Sequence, residues 1–166
     1  ETAKSGIGIT ISCAPLIMPE MYNRLEPLDS NSKWNFSKFI PDLVVINLFQ
    51  NDAWLTNMPN HEQFKAKFGT TPPTDEFLIN AYESFVVSVR KKYPKASIIC
   101  MLGNMDITRS GSLWPGYVKK AVALLHDKKM YTYFAPYKNT PGHPKNSEQK
   151  ILADGLIQFI SKHIKW

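Results

Sequence analysis

The run Leu43-Val-Val-Ile-Asn-Leu-Phe49 is apolar at all but one position, with Pro41-Asp42 before it and Gln50-Asn51-Asp52 after it. A short continuous apolar run bounded by turn residues is the pattern of a strand buried on both faces of a parallel sheet. Two more such runs follow, Ala96-Ser-Ile-Ile-Cys-Met-Leu102 and Met130-Tyr-Thr-Tyr-Phe134. Between the first two, Phe77, Leu78, Ala81, Tyr82, Phe85, Val86 and Val89 recur at helical spacing. Thr74 precedes them as a predicted N-cap, with Asp75 and Glu76 in the first turn. Tyr93-Pro94 ends that helix, because the residue before a proline avoids helical torsions.

A second helix is predicted over 114–128, with Tyr117, Val118, Ala121, Val122 and Leu125 on one side. A third starts near Ser147 and packs Ile151, Leu152, Leu156, Phe159 and Ile160. Alternating strands and helices predict an α/β fold with a parallel sheet and helices on both faces. Such sheets carry their function at the carboxyl ends of the strands, in the loops leading into helices.

Length and composition fit that fold. The 166 residues suit a single domain, and 43% hydrophobic with 12% aromatic content is too much for a disordered chain. No apolar run reaches the roughly 20 residues a membrane helix needs. The opening Glu1-Thr-Ala-Lys-Ser-Gly6 lacks the basic-then-apolar order of a signal peptide. The net charge of +6 is uneven: residues 1–83 hold 6 basic and 10 acidic side chains, residues 84–166 hold 14 and 4. The lysines of the basic half fall in pairs, Lys91-Lys92, Lys119-Lys120 and Lys128-Lys129, in or at the ends of helical patterns. In that half only Arg90 and Arg109 supply the bidentate chemistry suited to phosphate, so nucleic acid is not the expected partner. Cys13 and Cys100 show no metal-ligand spacing, and Cys100 reads as a buried thiol.

Two strand ends hold candidate chemistry. After the first strand come Asn51 and Asp52, which either cap the turn or present an amide and a carboxylate. After the third strand comes Ala135-Pro-Tyr-Lys-Asn-Thr-Pro-Gly-His143-Pro144. His61 lies in a polar loop, and His126 and His163 are placed on helices, which leaves His143 as the imidazole at a strand-to-helix junction. Both sites fall on one rim of the sheet. An imidazole there can take a proton from a hydroxyl nucleophile. The Asn51 amide, with a backbone N–H from a glycine turn such as Ser5-Gly6-Ile7-Gly8, can stabilise an ester's oxyanion.

In this order the motifs resemble those of the SGNH (GDSL-like) hydrolases, and most of all carbohydrate esterase family two, the acetylxylan-esterase-like enzymes. The resemblance is carried by Ser5-Gly6-Ile7-Gly8, then Ser32-Lys-Trp-Asn-Phe-Ser-Lys38, and Pro41-Asp-Leu-Val-Val-Ile-Asn47 leading to Asn51-Asp52. It continues through Tyr93-Pro-Lys-Ala-Ser-Ile-Ile-Cys100 to His143-Pro144. It implies a three-layer α/β/α, flavodoxin-like fold with strand order 2-1-3-4-5. Residues 1–166 would then be the C-terminal part of a single hydrolase domain, missing its N-terminal strands. It makes His143 the general base, Asn51 and the Gly6 N–H the oxyanion donors, and Asp52 a structural turn residue. The implied activity is a serine esterase that removes O-acetyl groups from carbohydrate, with no metal or organic cofactor. Trp54 and Trp114, just beyond strand ends, either stack on a sugar ring or belong to the core. A polysaccharide substrate implies a secreted or periplasmic protein.

Three departures from the family pattern stand out. Phe49 replaces the glycine of the third block, Gly-x-Asn-Asp. Thr140 stands where the usual Asp-x-x-His would place an acid, so the group orienting His143 is unassigned. The first-block Gly-Asp-Ser is absent, and none of Ser5, Ser12, Ser30, Ser32 or Ser37 takes its place. The expected nucleophile therefore belongs to an upstream segment that pairs with the first strand here. The alternative is a carbohydrate-binding remnant of the same fold without catalysis.

Overall fold

The three apolar runs are strands: β1 Leu43–Asn47, β2 Ser97–Leu102 and β3 Met130–Phe134. The computed structural model describes residues 2–165 and joins them in one parallel sheet, ordered β1-β2-β3. Leu43 lies opposite Ser97, and Ile98 opposite Met130. Among the described residues six α-helices accompany the sheet: α1 Met18–Met21, α2 Gln50–Leu55, α3 Glu62–Phe68, α4 Asp75–Lys92, α5 Trp114–Leu124 and α6 Asn146–His163. This is the mixed α/β architecture expected, with the strands in the sequential parallel order of the last three in the flavodoxin-like arrangement.

Alternation along β2 sorts the two faces. Ile98, Cys100 and Leu102 join the main core with Leu78, Tyr82, Phe85 and Val86 of α4 and Val118 and Ala121 of α5. Ile99 and Met101 point the other way, against Leu152, Leu156, Phe159 and Ile160 of α6. Tyr133 reaches so close to Gly155 that a Cβ there would collide with its hydroxyl, which lets α6 seat tightly on β3. Cys100 is fully buried, and that burial pushes its thiol up to about 12, so it is an inert core residue.

The first strand departs from the expectation of burial on both faces. Val45 is 40% exposed and Asn47 is exposed, because β1 pairs with β2 alone. The Ser97 N–H donates to the Asp42 carbonyl at 2.8 Å, which fixes the phase of the ladder. Asp42, Val44 and Ile46 therefore bond toward β2, while Leu43, Val45 and Asn47 turn their N–H and C=O groups to the open edge. Along that edge runs a groove of about 780 Å³, lined by all of β1 and by Tyr22, Phe36, Phe39 and Tyr93.

The helices bear out the sequence pattern with two corrections. Thr74 caps α4, its hydroxyl accepting the Phe77 N–H at 3.2 Å, and the helix stops at Lys92 before Tyr93-Pro94. The helix predicted over 114–128 ends at Leu124 instead. His126 adopts φ 49°, a left-handed turn that redirects the chain into β3, so it lies beyond the helix. Helices α2 and α3 occupy a stretch read as turn and loop, and His61 is the N-cap of α3, its Nδ1 accepting the Gln63 N–H at 3.2 Å. No helix among the described residues is long and apolar enough to cross a membrane.

Candidate functional site

The carboxyl end of β1 is organised from inside. Phe49, between β1 and α2, takes φ 86° and ψ −11°, a left-handed conformation that a non-glycine residue holds at a cost of roughly 1 kcal/mol or more. Packing compensates. The ring is fully buried, 4.8 Å from Tyr82 and edge-on to Trp114 at 4.9 Å between centroids. The residue that replaces the family's glycine thus keeps the glycine backbone and turns its side chain into the core.

Two turns of backbone meet in Asp52, which is fully buried. Its Oδ1 accepts the N–H groups of Ile9, Thr10 and Ile11 at 3.1, 2.6 and 3.2 Å, and the Thr10 hydroxyl at 2.7 Å. Burial raises the carboxyl above its ordinary range, and these donors oppose the shift by favouring the charged form. Asp52 is thus structural, though by a bond across some 40 residues rather than a local turn. Gly8 lies against it: a Cβ there would come within 2.5 Å of Oδ2 and strike the Ile11 carbonyl. Its N–H donates to Ser12 Oγ at 2.8 Å. Gly6 takes φ 70° in the preceding turn, accepts the Cys13 N–H at 2.9 Å, and donates its own N–H to none of the described residues.

Asn51, next to Asp52 on α2, is half-buried, and its Nδ2 donates to the Ile7 carbonyl at 2.7 Å. One amide hydrogen is engaged and the second is free for a ligand. Asn51 lines a hollow of about 160 Å³ with Ile7, Met18, Asn47 and Leu48. His143 lies in the loop after β3, exposed, and is not among the lining residues of that hollow. Parallel strands about 4.8 Å apart put the carboxyl ends of β1 and β3 roughly 10 Å from each other across β2, on one rim. The structure brings the two residues to that rim without enclosing both in one cavity.

Trp54 and Trp114 share a second cleft of about 560 Å³, together with Gln50, Asp75, Arg109 and Tyr117. They differ in exposure. Trp54 is 51% exposed, while Trp114 is wedged between Phe49 and Tyr117. The Tyr117 hydroxyl donates to Asp75 Oδ1 at 2.5 Å, and burial together with that carboxylate pushes its phenol up to about 12. An exposed indole beside carboxylate and guanidinium groups is a surface that can stack on a sugar ring and bond its hydroxyls.

The second departure from the family pattern, Thr140, has a partner of its own. Thr140 does not face His143 through a hydrogen bond; its hydroxyl donates to the Glu148 carboxylate at the start of α6. Lys138, Glu148 and Asn104 went unnoticed in the sequence. The available signal was Gly103-Asn104 at the carboxyl end of the central strand, a place equivalent to those of Asn51 and His143.

No family model matches the chain. It is 29% identical over 177 residues to the cellulase/esterase CelE of Acetivibrio thermocellus, a match that takes in 99% of this chain and 20% of that protein. Among solved structures, an active-site mutant of a family two carbohydrate esterase from Clostridium thermocellum superposes with a TM-score of 0.76 at 30% identity. The match covers 98% of this chain and 48% of that one. A family two carbohydrate esterase from the same organism, in complex with cellohexaose, gives 0.74 at 30% identity over 95% and 47%. The acetyl xylan esterase Est2A of Butyrivibrio proteoclasticus shares the fold at 18% identity, with a TM-score of 0.73. The chain spans about half the length of these solved relatives and a fifth of the curated one. With its parallel α/β sheet and these likenesses along nearly its whole length, the chain is similar in sequence and in fold to family two carbohydrate esterases.

Proposed function

We propose that this chain is the C-terminal part of a serine esterase that removes O-acetyl groups from a carbohydrate of the acetylxylan type. What supports the proposal is that a carboxamide, Asn51, and an imidazole, His143, follow the carboxyl ends of β1 and β3 in a parallel sheet similar to that of family two carbohydrate esterases. In this scheme His143 takes the proton from an attacking serine hydroxyl and returns it to the leaving sugar oxygen. The free Asn51 amide hydrogen and the Gly6 N–H hold the oxyanion of the tetrahedral intermediate. Trp54, with Trp114 behind it, offers a platform for the sugar in the neighbouring cleft. The chemistry calls for neither a metal nor an organic cofactor.

The nucleophile belongs to an upstream segment of the same protein. Three observations support its docking on β1: the open strand edge, the groove of about 780 Å³ beside it, and a match to only about half of each solved relative. A strand paired there would cover Val45 and satisfy the outward backbone groups of Leu43, Val45 and Asn47. A polymeric substrate further places the protein outside the cell or in a periplasm.

The test is acetate release from acetylated xylan by the protein with and without its upstream segment. Activity is expected only with it, and His143→Ala is expected to abolish that activity. Asn51→Ala should lower turnover by about 10²–10³, the usual effect of losing one oxyanion donor. A His143→Ala protein with near-normal activity would remove the proposed base. The exposed Trp54 beside Trp114 favours a second reading, binding without catalysis; oligosaccharide affinity with no acetate release from the longer protein would select it.

A further inference from the structure

Residues 135–145 connect β3 to α6 without regular structure, and His143 stands near the end of that stretch. It is exposed and makes no hydrogen bond among the described residues, so its place is set by its backbone. That backbone is held at both ends by the central strand. The Ala135 N–H donates to the Leu102 carbonyl at 3.0 Å and the Lys138 N–H to the Asn104 carbonyl at 2.8 Å. Asn104, only 4% exposed, then uses Nδ2 to reach the Glu148 carbonyl at 3.2 Å. One residue at the tip of β2 thus anchors positions 138 and 148.

Between these anchors lies a closed circuit. The Lys138 side chain is 3% exposed, and its ammonium donates to the Thr140 carbonyl at 2.6 Å, the Thr140 hydroxyl at 2.7 Å and the Pro141 carbonyl at 3.3 Å. Its three protons meet three acceptors. The Thr140 hydroxyl passes its own proton toward Glu148, whose other carboxylate oxygen accepts the Lys145 N–H at 2.7 Å. Lysine is seldom so buried. Capping of α6 accounts for the Lys145 bond but not for this ammonium, whose acceptors all precede the helix. What it does fix is the path of the chain through Gly142, at φ 73°, into His143.

We propose that Asn104, Lys138 and Glu148 are positioning residues for His143, forming a clamp that holds the imidazole-bearing loop rigid in place of a carboxylate bonded to the ring. The proposal rests on the esterase reading only through the role given to His143. It is tested in the full-length protein with p-nitrophenyl acetate as probe. Lys138→Met and Glu148→Ala should lower kcat about 10- to 100-fold with KM within about twofold, as misplacing a catalytic group by an ångström does. Both should speed amide hydrogen exchange at residues 139–143 by about tenfold or more. Glu148→Gln, which keeps the shape and one acceptor, should recover part of kcat. Arg90→Met, which breaks the remote 2.8 Å ion pair with Asp127, is the destabilised control and should leave kcat unchanged.

The clamp is overturned if Lys138→Met leaves kcat within about twofold, if exchange at 139–143 does not change, or if Arg90→Met costs as much turnover. Should His143→Ala keep the wild-type rate, the esterase reading falls by itself. Exchange alone then decides the clamp: faster in Lys138→Met upholds it, unchanged overturns it.

Discussion

The two ends of the rim are built differently. At the end of β1, Asn51 stands on α2 beside Asp52, which is sealed in the interior, and just after the N-cap Phe49, which is locked in the core. At the end of β3, His143 stands on an exposed loop held by an ammonium, a hydroxyl and a carboxylate near the surface. Buried donors around a buried acceptor leave no alternative partner when one is removed, whereas water can replace the exposed Thr140 hydroxyl, although the Lys138 ammonium is shielded. The carboxamide is therefore coupled to global folding, and the imidazole to local order. A group that must stay fixed while charge builds on its ligand gains from the first design, and one that must exchange protons with solvent and substrate gains from the second.

Asp52→Ala attacks that contrast at its strongest point. It strands three amides and a hydroxyl in the interior, and denaturant unfolding should show a loss of about 3–5 kcal/mol. Asp52→Asn should cost clearly less, because Oδ1 accepts from all four groups while Oδ2 takes only the Ile9 N–H, at 3.0 Å. Equal losses for the two variants would mean that charge, and not acceptor geometry, holds the loop.

Phe49 gives a subtler separation. Phe49→Ala should cost about 3–5 kcal/mol as a large-to-small core change. Phe49→Gly deletes one carbon more, yet should be the more stable of the two by about 1 kcal/mol, since alanine retains the strain of φ 86° and glycine does not. Thermal or urea unfolding of the pair decides it. If Phe49→Gly is the weaker, the left-handed backbone is not what limits this position.

The exposed indole should behave in the opposite way. Trp54→Ala should move stability by no more than about 0.5 kcal/mol. It should still weaken binding of a xylo- or cello-oligosaccharide about tenfold, as loss of an aromatic anchor does. Titration calorimetry on the full-length protein checks this.

The smallest effect lies in the clamp, and it is pH-dependent. The Thr140 hydroxyl and the Lys145 amide, aided by the charges of Lys138 and Lys145, hold the Glu148 carboxyl below its ordinary range, with desolvation opposing. A carboxyl lowered in the folded state contributes order that is complete at neutral pH and is lost as pH falls through the folded value. Protection of residues 139–143, corrected for intrinsic exchange, should therefore decline as pH falls below the ordinary carboxyl range, and in Glu148→Gln it should show no such decline.

Most of the frame was legible because it rests on periodicity. Three apolar runs gave β1, β2 and β3 to within two residues, and Thr74 with Tyr93-Pro94 bounded α4. What periodicity cannot carry is a contact between distant parts of the chain. The bonds of Asp52 to residues 9–11, and of Asn104 to residue 148, each span about 40 positions. The left-handed turn at His126 also escaped, since nothing in Leu125-His-Asp-Lys128 announces it to a helix pattern. Short helices such as α2 have too few residues to display a face, so Asn51 and Asp52 looked like turn residues. Asn51 and His143 are nominated from strand ends, a topological rule that does not depend on local detail.

The bare margin of the sheet works as a ruler. Side chains alternate across β1, so any strand laid against it can slide only in steps of two residues without inverting its faces. Each such step carries whatever follows that strand by about 6.6 Å. On the proposed reading, in which such a strand carries the nucleophile, a hydroxyl delivered one notch too far would sit beyond proton-transfer range of His143, and fidelity of pairing at Leu43, Val45 and Asn47 would set turnover.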